Sequence, residues 1–240
     1  MNFSTQERVL VMIPAYNEEE NIARVVHELT KQCPAYDYLV IIDGATDCTE
    51  EICRREGFHY ITLPVNLGIG GAIQSGYRYA LSNNYDIAVQ LDGDGQHDPA
   101  YLAPLTAPLR EGTADYVIGS RFLTGEGFQS TGARRTGIHI LSGLIRLMCG
   151  VHIHDVTSGF RAVGRKSIRS FAENYPVDYP EPEAIIDAVM RGERVVEIPV
   201  IMREREHGES SINPGRSVYY MIKVSLAIIL CRFRYGFRSK

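Results

Sequence analysis

The stretch Ile87-Ala88-Val89-Gln90-Leu91-Asp92-Gly93-Asp94-Gly95-Gln96 decides the fold, because an apolar run ends there in two carboxylates one residue apart. The apolar run predicts a buried strand, and the two glycines allow a tight turn after it. A hard divalent cation that also binds phosphate prefers carboxylates, an amide oxygen and open positions for substrate. Asp92, Asp94 and Gln96 could supply the protein ligands. The alternative is an ordinary polar turn, where Asp and Gly are common.

Apolar strands and amphipathic helices alternate around this stretch through the first half of the chain. The strands are predicted at 8–13, 38–42, 60–63, 86–91 and 116–119, and the helices at 18–31, 47–55, 70–81 and 99–110. Continuous apolar strands joined by helices indicate a parallel sheet with both faces covered. The sequence therefore predicts an α/β protein, whose ligands bind beyond the carboxyl ends of the strands.

Polar segments follow three of these strands. They are Pro14-Ala15-Tyr16-Asn17-Glu18, Asp43-Gly44-Ala45-Thr46-Asp47 and Asp92-Gly93-Asp94. Parallel strands place their carboxyl ends along one edge of the sheet. The sequence therefore predicts that the three segments converge on one site.

The second half of the chain has a less regular pattern. It predicts loops at 122–132 and 203–214, helices at 134–149 and 182–191, and strands at 156–163 and 195–200.

Composition excludes several classes of protein. The 240 residues include 45% hydrophobic residues, which is typical of a globular protein. Their net charge of −4 gives no indication of the basic surface that binds nucleic acids. The five cysteines include no Cys-x-x-Cys pair, which is typical of free thiols in a reducing compartment or of small buried side chains. No signal peptide and no apolar run of about 20 residues are visible. We therefore expect a cytoplasmic protein.

Several motifs, in this order along the chain, resemble the polyprenyl-phosphate (dolichyl-phosphate mannosyltransferase-like) group of the family-two glycosyltransferases. Besides the three strand-end segments, they are Asn66-Leu67-Gly68-Ile69-Gly70-Gly71-Ala72, Gly119-Ser120-Arg121-Phe122, Asp155-Val156-Thr157-Ser158-Gly159-Phe160-Arg161 and Arg205-Glu206-His207-Gly208-Glu209-Ser210. The resemblance implies a GT-A fold, with a mostly parallel, Rossmann-like sheet. It also implies a glycosyltransferase domain, placed at 1–215, and the apolar and basic pattern after it predicts a separate C-terminal segment over 216–240.

The resemblance further implies a nucleotide-sugar donor, linked to either UDP or GDP, and a Mg²⁺ or Mn²⁺ ion. The donor residues it implies are Pro14, Tyr16, Glu18, Asp43, Asn66, Gly70, Asp92, Arg205 and Ser210, and the metal ligands are Asp92, Asp94 and Gln96. Glu18 could instead be a favourable charge near a helix start. Ile42 and Ala45 stand where family members usually have Asp and Ser, so base recognition can differ here.

The acceptor in this group is a lipid phosphate, which is ionised near neutral pH and needs no strong base. Guanidinium groups suit phosphate, and the candidates are Arg121, Arg134 and Arg135. Arg134 and Arg135 could instead be solvent-exposed residues at the start of a helix. The resemblance implies single displacement with inversion, and the predicted catalytic residues are Asp94, Arg121 and Glu183.

Three further residues are weaker candidates for this site. Glu181 could replace Glu183 as the base that family members with hydroxyl acceptors use, Asp155 is a further acid, and His97 should face the metal motif.

The C-terminal segment is mostly apolar over 217–231, with Lys223 in its midst and basic residues on both sides. This pattern predicts an amphipathic interfacial helix attracted to anionic lipid. The partner would be the inner face of the cell membrane or a small membrane protein. The alternatives are a helix packed on the core and an interface between copies of the chain.

Three other functions compete with this one. The first is transfer to a glycan or cell-wall hydroxyl, which would need Glu181 or Glu183 as a base. The second, nucleotidyl transfer, usually needs a Gly-rich, Arg-containing loop after the first strand, which 14–18 lacks. The third is a catalytically dead scaffold, against which the intact Asp92 and Asp94 argue.

Overall fold

The structure is a computed structural model that describes residues 7–128, 132–177, 180–204 and 223–230. Seven strands in these parts form one sheet in the order β3-β2-β1-β4-β6-β5-β7. The strands are β1 (Val9–Ala15), β2 (Asp37–Asp43), β3 (Tyr60–Leu63), β4 (Ile87–Gln90), β5 (Tyr116–Ser120), β6 (Arg161–Gly164) and β7 (Val195–Pro199). Only β6 opposes its neighbours, β4 and β5. The predicted α/β class with a mostly parallel sheet is confirmed.

Helices cover both faces of the sheet. They are α1 (Ile22–Gln32), α2 (Thr49–Glu56), α3 (Gly68–Ser82), α4 (Leu102–Arg110), α5 (Gly132–Cys149), α6 (Arg165–Glu173) and α7 (Pro180–Met190). Successive side chains of a strand point to opposite faces. In β1, Leu10 and Met12 enter the core beneath α3, α5, α6 and α7, whereas Val11 and Ile13 enter the core beneath α1, α2 and α4. This double burial explains why the strand is apolar throughout.

One predicted strand was wrong in its start, and one helix was not predicted. The strand predicted at 156–163 begins only at Arg161, and the residues before it form a loop. Helix α6 was not predicted, because charged residues and serines fill most of its sequence. Its buried face consists of Ser167, Ile168, Phe171 and Ala172, so a narrow apolar stripe at helical spacing was the available signal.

The described part of the C-terminal segment is helical over 223–230. Val224 and Ile228 lie fully buried in the same cluster as the inner face of α5, whereas Leu226 and Leu230 are exposed. The rest of the predicted amphipathic helix, and the division of the chain at 215, stay predictions. Within the described ranges, no helix combines the length and apolar character needed to cross a bilayer.

Candidate active site

The polar strand ends converge on one cavity of about 660 Å³ at the carboxyl edge of β1, β2 and β4. Seven of the predicted donor and metal residues line it: Pro14, Tyr16, Glu18, Asp43, Asn66, Asp92 and Asp94. The cavity is thus where a parallel sheet is expected to bind a ligand. Tyr16 is about half exposed, so its ring offers the cavity an open stacking face.

The end of β2 is held close to the loop that precedes α3. Asp43 is buried, and its Oδ1 accepts a hydrogen bond of 2.7 Å from the Leu67 backbone N–H. Gly44 has a positive φ of 61°, and a Cβ there would lie 2.5 Å from the Asn66 nitrogen. Only glycine fits such a close approach in this conformation. The backbone therefore fixes Asp43 and Asn66 side by side on the cavity wall.

Glu18 lies before α1 and not within its first turn, which begins at Ile22. Its Oε2 accepts a 2.8 Å hydrogen bond from Asn21 Nδ2, and its backbone N–H donates to Thr49 Oγ1 at 2.9 Å. These contacts orient the carboxylate on the cavity wall.

Asp92 is oriented by its neighbours in the strand and the turn. Its Oδ1 accepts a 3.0 Å hydrogen bond from Gln90 Nε2, and its backbone N–H donates to His97 Nδ1 at 3.1 Å. Because Nδ1 accepts, the proton of the neutral ring lies on Nε2, which is 3.7 Å from Asp92 Oδ2. The His97 ring is buried and stacks on Phe160 with centroids 4.7 Å apart. His97 therefore orients Asp92, as a buried neighbour of the metal motif.

Gly159 is a site residue that sequence reasoning did not single out. A Cβ at this position would lie 2.7 Å from Asp92 Oδ2 and 3.0 Å from Gln90 Nε2. The loop before β6 thus packs directly on the Asp92 carboxylate. The presence of a glycine within the motif 155–161 was the only feature of the sequence that could have indicated this close packing.

The Gln96 side chain contacts Arg203, and its predicted role as a metal ligand stays a prediction. Its side-chain nitrogen donates to the Arg203 carbonyl at 3.3 Å, and it is not among the residues that line the cavity. The Arg203 guanidinium donates to both oxygens of Glu28, at 2.9 and 2.8 Å, and lies 2.7 Å from Asp98 Oδ2. Hydrogen bonds from Arg203 to Glu28, with help from Asp98, raise the pKa of Arg203. These contacts hold the metal motif against α1.

Asp92 and Asp94 both line the cavity, and Asp94 Oδ1 accepts the Gln96 N–H at 3.0 Å. Within the described residues, no group of three or more His, Cys, Asp or Glu side chains could hold a metal ion. Two carboxylates open to a cavity fit Mg²⁺ or Mn²⁺, because such ions keep positions for substrate phosphates and rarely use a closed protein cage. The residues present thus fit a cation that shares its coordination with a diphosphate.

Arg121 and Asp155, predicted separately, form a buried pair. Arg121 Nε and Nη2 donate to the two Asp155 oxygens at 2.7 Å each, and Nη2 also donates to Thr157 Oγ1 at 3.0 Å. The Phe122 ring brings Arg121 and Arg135 together, with guanidinium carbons 5.3 and 5.8 Å from its centroid. Arg135 is exposed.

The other predicted residues are dispersed or lie elsewhere. Glu181 and Glu183 are half-buried in the first turn of α7. Gly70 is not among the residues that line the cavity. It packs instead against the backbone at Pro176, where a Cβ on Gly70 would lie 2.4 Å from the carbonyl oxygen. Arg205, Ser210 and the Arg134 side chain lie outside the described residues.

Known proteins of one family are similar to this chain in sequence. The sequence profile of Glycosyl transferase family 2 matches residues 10–171. Undecaprenyl-phosphate mannosyltransferase from Micrococcus luteus is 33% identical over 87% of this chain and 88% of its own length. Polyprenol monophosphomannose synthase from Mycolicibacterium smegmatis is 32% identical over 91% of this chain and 86% of its own.

Solved structures show the same fold. Glucosyl-3-phosphoglycerate synthase from Mycobacterium tuberculosis, in complex with Mn²⁺, UDP-glucose and phosphoglyceric acid, superimposes with a TM-score of 0.72 at 21% identity. The match covers 94% of this chain and 79% of that one. The predicted GT-A fold is confirmed.

Proposed function

Because this chain belongs to glycosyl transferase family 2, we propose that it transfers a sugar from a nucleotide sugar to a polyprenyl phosphate. The observation that carries the proposal is the convergence of Asp43, Asp92 and Asp94 on one cavity. Relatives named for transfer to undecaprenyl or polyprenol phosphate, over nearly their whole length, support this acceptor class.

The donor would occupy the cavity along the strand ends. Tyr16 and Pro14 offer flat faces for a nucleotide base, and Glu18, Asp43 and Asn66 offer acceptors for ribose hydroxyls or base amines. Asp92 and Asp94 would hold Mg²⁺ or Mn²⁺, which supplies Lewis-acid stabilisation of the departing diphosphate. Gln90, His97 and Gly159 keep Asp92 in place for this role.

The acceptor phosphate would bind near the arginine cluster formed by Arg121 and Arg135 around Phe122. Arg135 is exposed and can meet an incoming phosphate, whereas Asp155 fixes Arg121 in one orientation. A phosphate oxygen then attacks the anomeric carbon, and the bond from that carbon to the nucleoside diphosphate breaks. Attack opposite to the leaving group inverts the anomeric configuration.

Docking at the membrane surface would bring the lipid acceptor to this site. Leu226 and Leu230 are exposed on the 223–230 helix, and Ile140 and Leu147 are exposed on α5. Both elements bury their other faces in one core cluster. Apolar side chains exposed near basic residues suit an anionic lipid surface. We assign this docking role to the segment 216–240, next to the glycosyltransferase domain 1–215.

A transfer assay tests the proposal. The full chain is incubated with undecaprenyl phosphate, Mn²⁺ and a panel of UDP- and GDP-sugars, and lipid-linked sugar is identified by mass spectrometry. We expect one donor to give product, and Asp94→Asn to lower the rate at least about 100-fold because charge stabilisation is lost. Asp86→Asn is the matched control, since Asp86 lies at the opposite end of β4 and pairs with Arg165. Absence of lipid-linked product with every donor would contradict the proposal.

Glu183→Gln separates the phosphate acceptor from a hydroxyl acceptor. A general base contributes about 10²–10⁴-fold to a rate, whereas an ionised phosphate needs none. We expect the variant to retain transfer to polyprenyl phosphate within about tenfold. A loss of about 100-fold or more would favour a glycan hydroxyl as the acceptor.

A further inference from the structure

We propose that Arg161 is a positioning residue that sets the distance between Asp92 and the first turn of α7. This inference rests on the proposed function, because it concerns how the donor side and the α7 side of the same site are held together.

Arg161 is a buried cation, with a side chain about 1% exposed. Among the described residues, its hydrogen bonds go to the Ser158 and Glu181 carbonyls and the Tyr116 hydroxyl. Desolvation lowers the pKa of Arg161, but the electrostatic influence of Tyr116, Tyr175 and Glu181 outweighs it and raises that pKa overall. The guanidinium therefore stays charged. Burial removes the ion from water, so its hydrogen bonds must compensate for the lost hydration.

Two of those bonds fix the loop that packs on Asp92. Nε donates to the Ser158 carbonyl at 3.0 Å, and Nη2 donates to the same oxygen. The next residue is Gly159, whose Cα faces the Asp92 carboxylate so closely that no Cβ fits between them. In the sheet, Arg161 is also the register partner of Gln90, whose side chain donates to Asp92. Through the Ser158 carbonyl, the Arg161 side chain thus fixes the loop that packs on Asp92.

The other end of the guanidinium reaches α7. Nη1 donates to the Glu181 carbonyl at 3.1 Å and to the Tyr116 hydroxyl. Glu181 lies in the first turn of α7, together with Glu183. One rigid, planar group therefore bonds both the Asp92 loop and the acidic helix start. Lysine could not replace it, because an ammonium on a flexible stem cannot span both carbonyls in this fixed geometry.

The test compares catalytic rate with nucleotide binding in the wild type and three variants. Arg161→Lys keeps the charge, and Arg161→Met removes it while keeping an unbranched apolar stem. Arg165→Lys is the matched control, since Arg165 is largely exposed and, within the described residues, pairs with Asp86 and the Asn84 carbonyl. The readouts are kcat, the donor KM, the Kd for a nucleoside diphosphate with Mn²⁺, and Tm.

We expect both Arg161 variants to weaken nucleotide binding with Mn²⁺ by a smaller factor than they lower kcat, because Asp92 keeps its hydrogen bonds to Gln90 and His97. We also expect kcat to fall about 10- to 100-fold at temperatures well below Tm, since small misplacements of reacting groups cost rates of this order. Arg165→Lys should change neither the nucleotide affinity nor kcat. If Arg161→Met does not fold, the kcat of Arg161→Lys decides whether the inference holds. A kcat within threefold of the wild type, or a rate that falls only with the folded fraction, would overturn the inference. A wild-type chain without transfer activity would contradict the proposed function instead.

Discussion

Gly159→Ala is the substitution whose consequence can be worked out most closely from the structure. The added Cβ would lie 2.7 Å from Asp92 Oδ2 and 3.1 Å from Oδ1, whereas ordinary contacts begin at 3.4 Å. Either the loop or the carboxylate must therefore move by about 0.7 Å, the difference between 3.4 and 2.7 Å. Overpacking of this kind costs about 1–3 kcal/mol of stability. A displacement approaching 1 Å at a metal ligand can lower the rate by about 100-fold.

The assay measures transfer rate against Mn²⁺ concentration, together with Tm. We expect Gly159→Ala to need a higher Mn²⁺ concentration for half-maximal rate and to lower kcat by one to two orders of magnitude. Gly164→Ala is the matched control, because the nearest atom that a Cβ there would meet among the described residues is the Asp115 carbonyl oxygen at 3.7 Å. Wild-type activity and Mn²⁺ dependence in Gly159→Ala would refute the reasoning that this glycine keeps Asp92 in place.

Three further perturbations have expected outcomes. Arg203→Met should raise the Mn²⁺ concentration needed for activity, because the metal motif loses its anchor on α1; an unchanged Mn²⁺ titration would contradict this. Hydrogen bonds from Arg194 lower the pKa of Asp115, so Asp115→Asn should reduce Tm at pH 7. That difference should vanish as pH falls below about 4, as Tm measured against pH would show. Replacing Leu226 and Leu230 by Ser should weaken co-sedimentation with anionic vesicles about tenfold without changing Tm, because both side chains are exposed; equal sedimentation would contradict membrane docking.

The strand ends were predictable from the sequence because local rules determine them. An apolar run followed by glycine and carboxylates marks both a buried strand and its carboxyl end, and parallel pairing then brings such ends together. The positions of Asp43 and Asp92 on one cavity follow from these rules alone. The same reasoning predicted α1 and α3 within a few residues of their observed bounds.

Features that depend on pairing between distant segments were not predictable. The reversed direction of β6 depends on which strands flank it, and no local pattern encodes that choice. The Arg121–Asp155 pair joins residues 34 positions apart, so the sequence showed two candidate residues but not their bond. The support of Asp92 by Gly159 is likewise a packing contact between loops, which becomes visible only in three dimensions.

The most direct test of the central claim is calorimetric titration of the protein with a nucleoside diphosphate, with Mn²⁺ and with chelator. The claim is that Asp92 and Asp94 bind a divalent cation that receives the diphosphate of the donor. It predicts tight binding that requires Mn²⁺ in the wild type, and weak, Mn²⁺-independent binding in Asp94→Asn. Equal affinity in chelator and in Mn²⁺, or an Asp94→Asn variant that binds like the wild type, would contradict it.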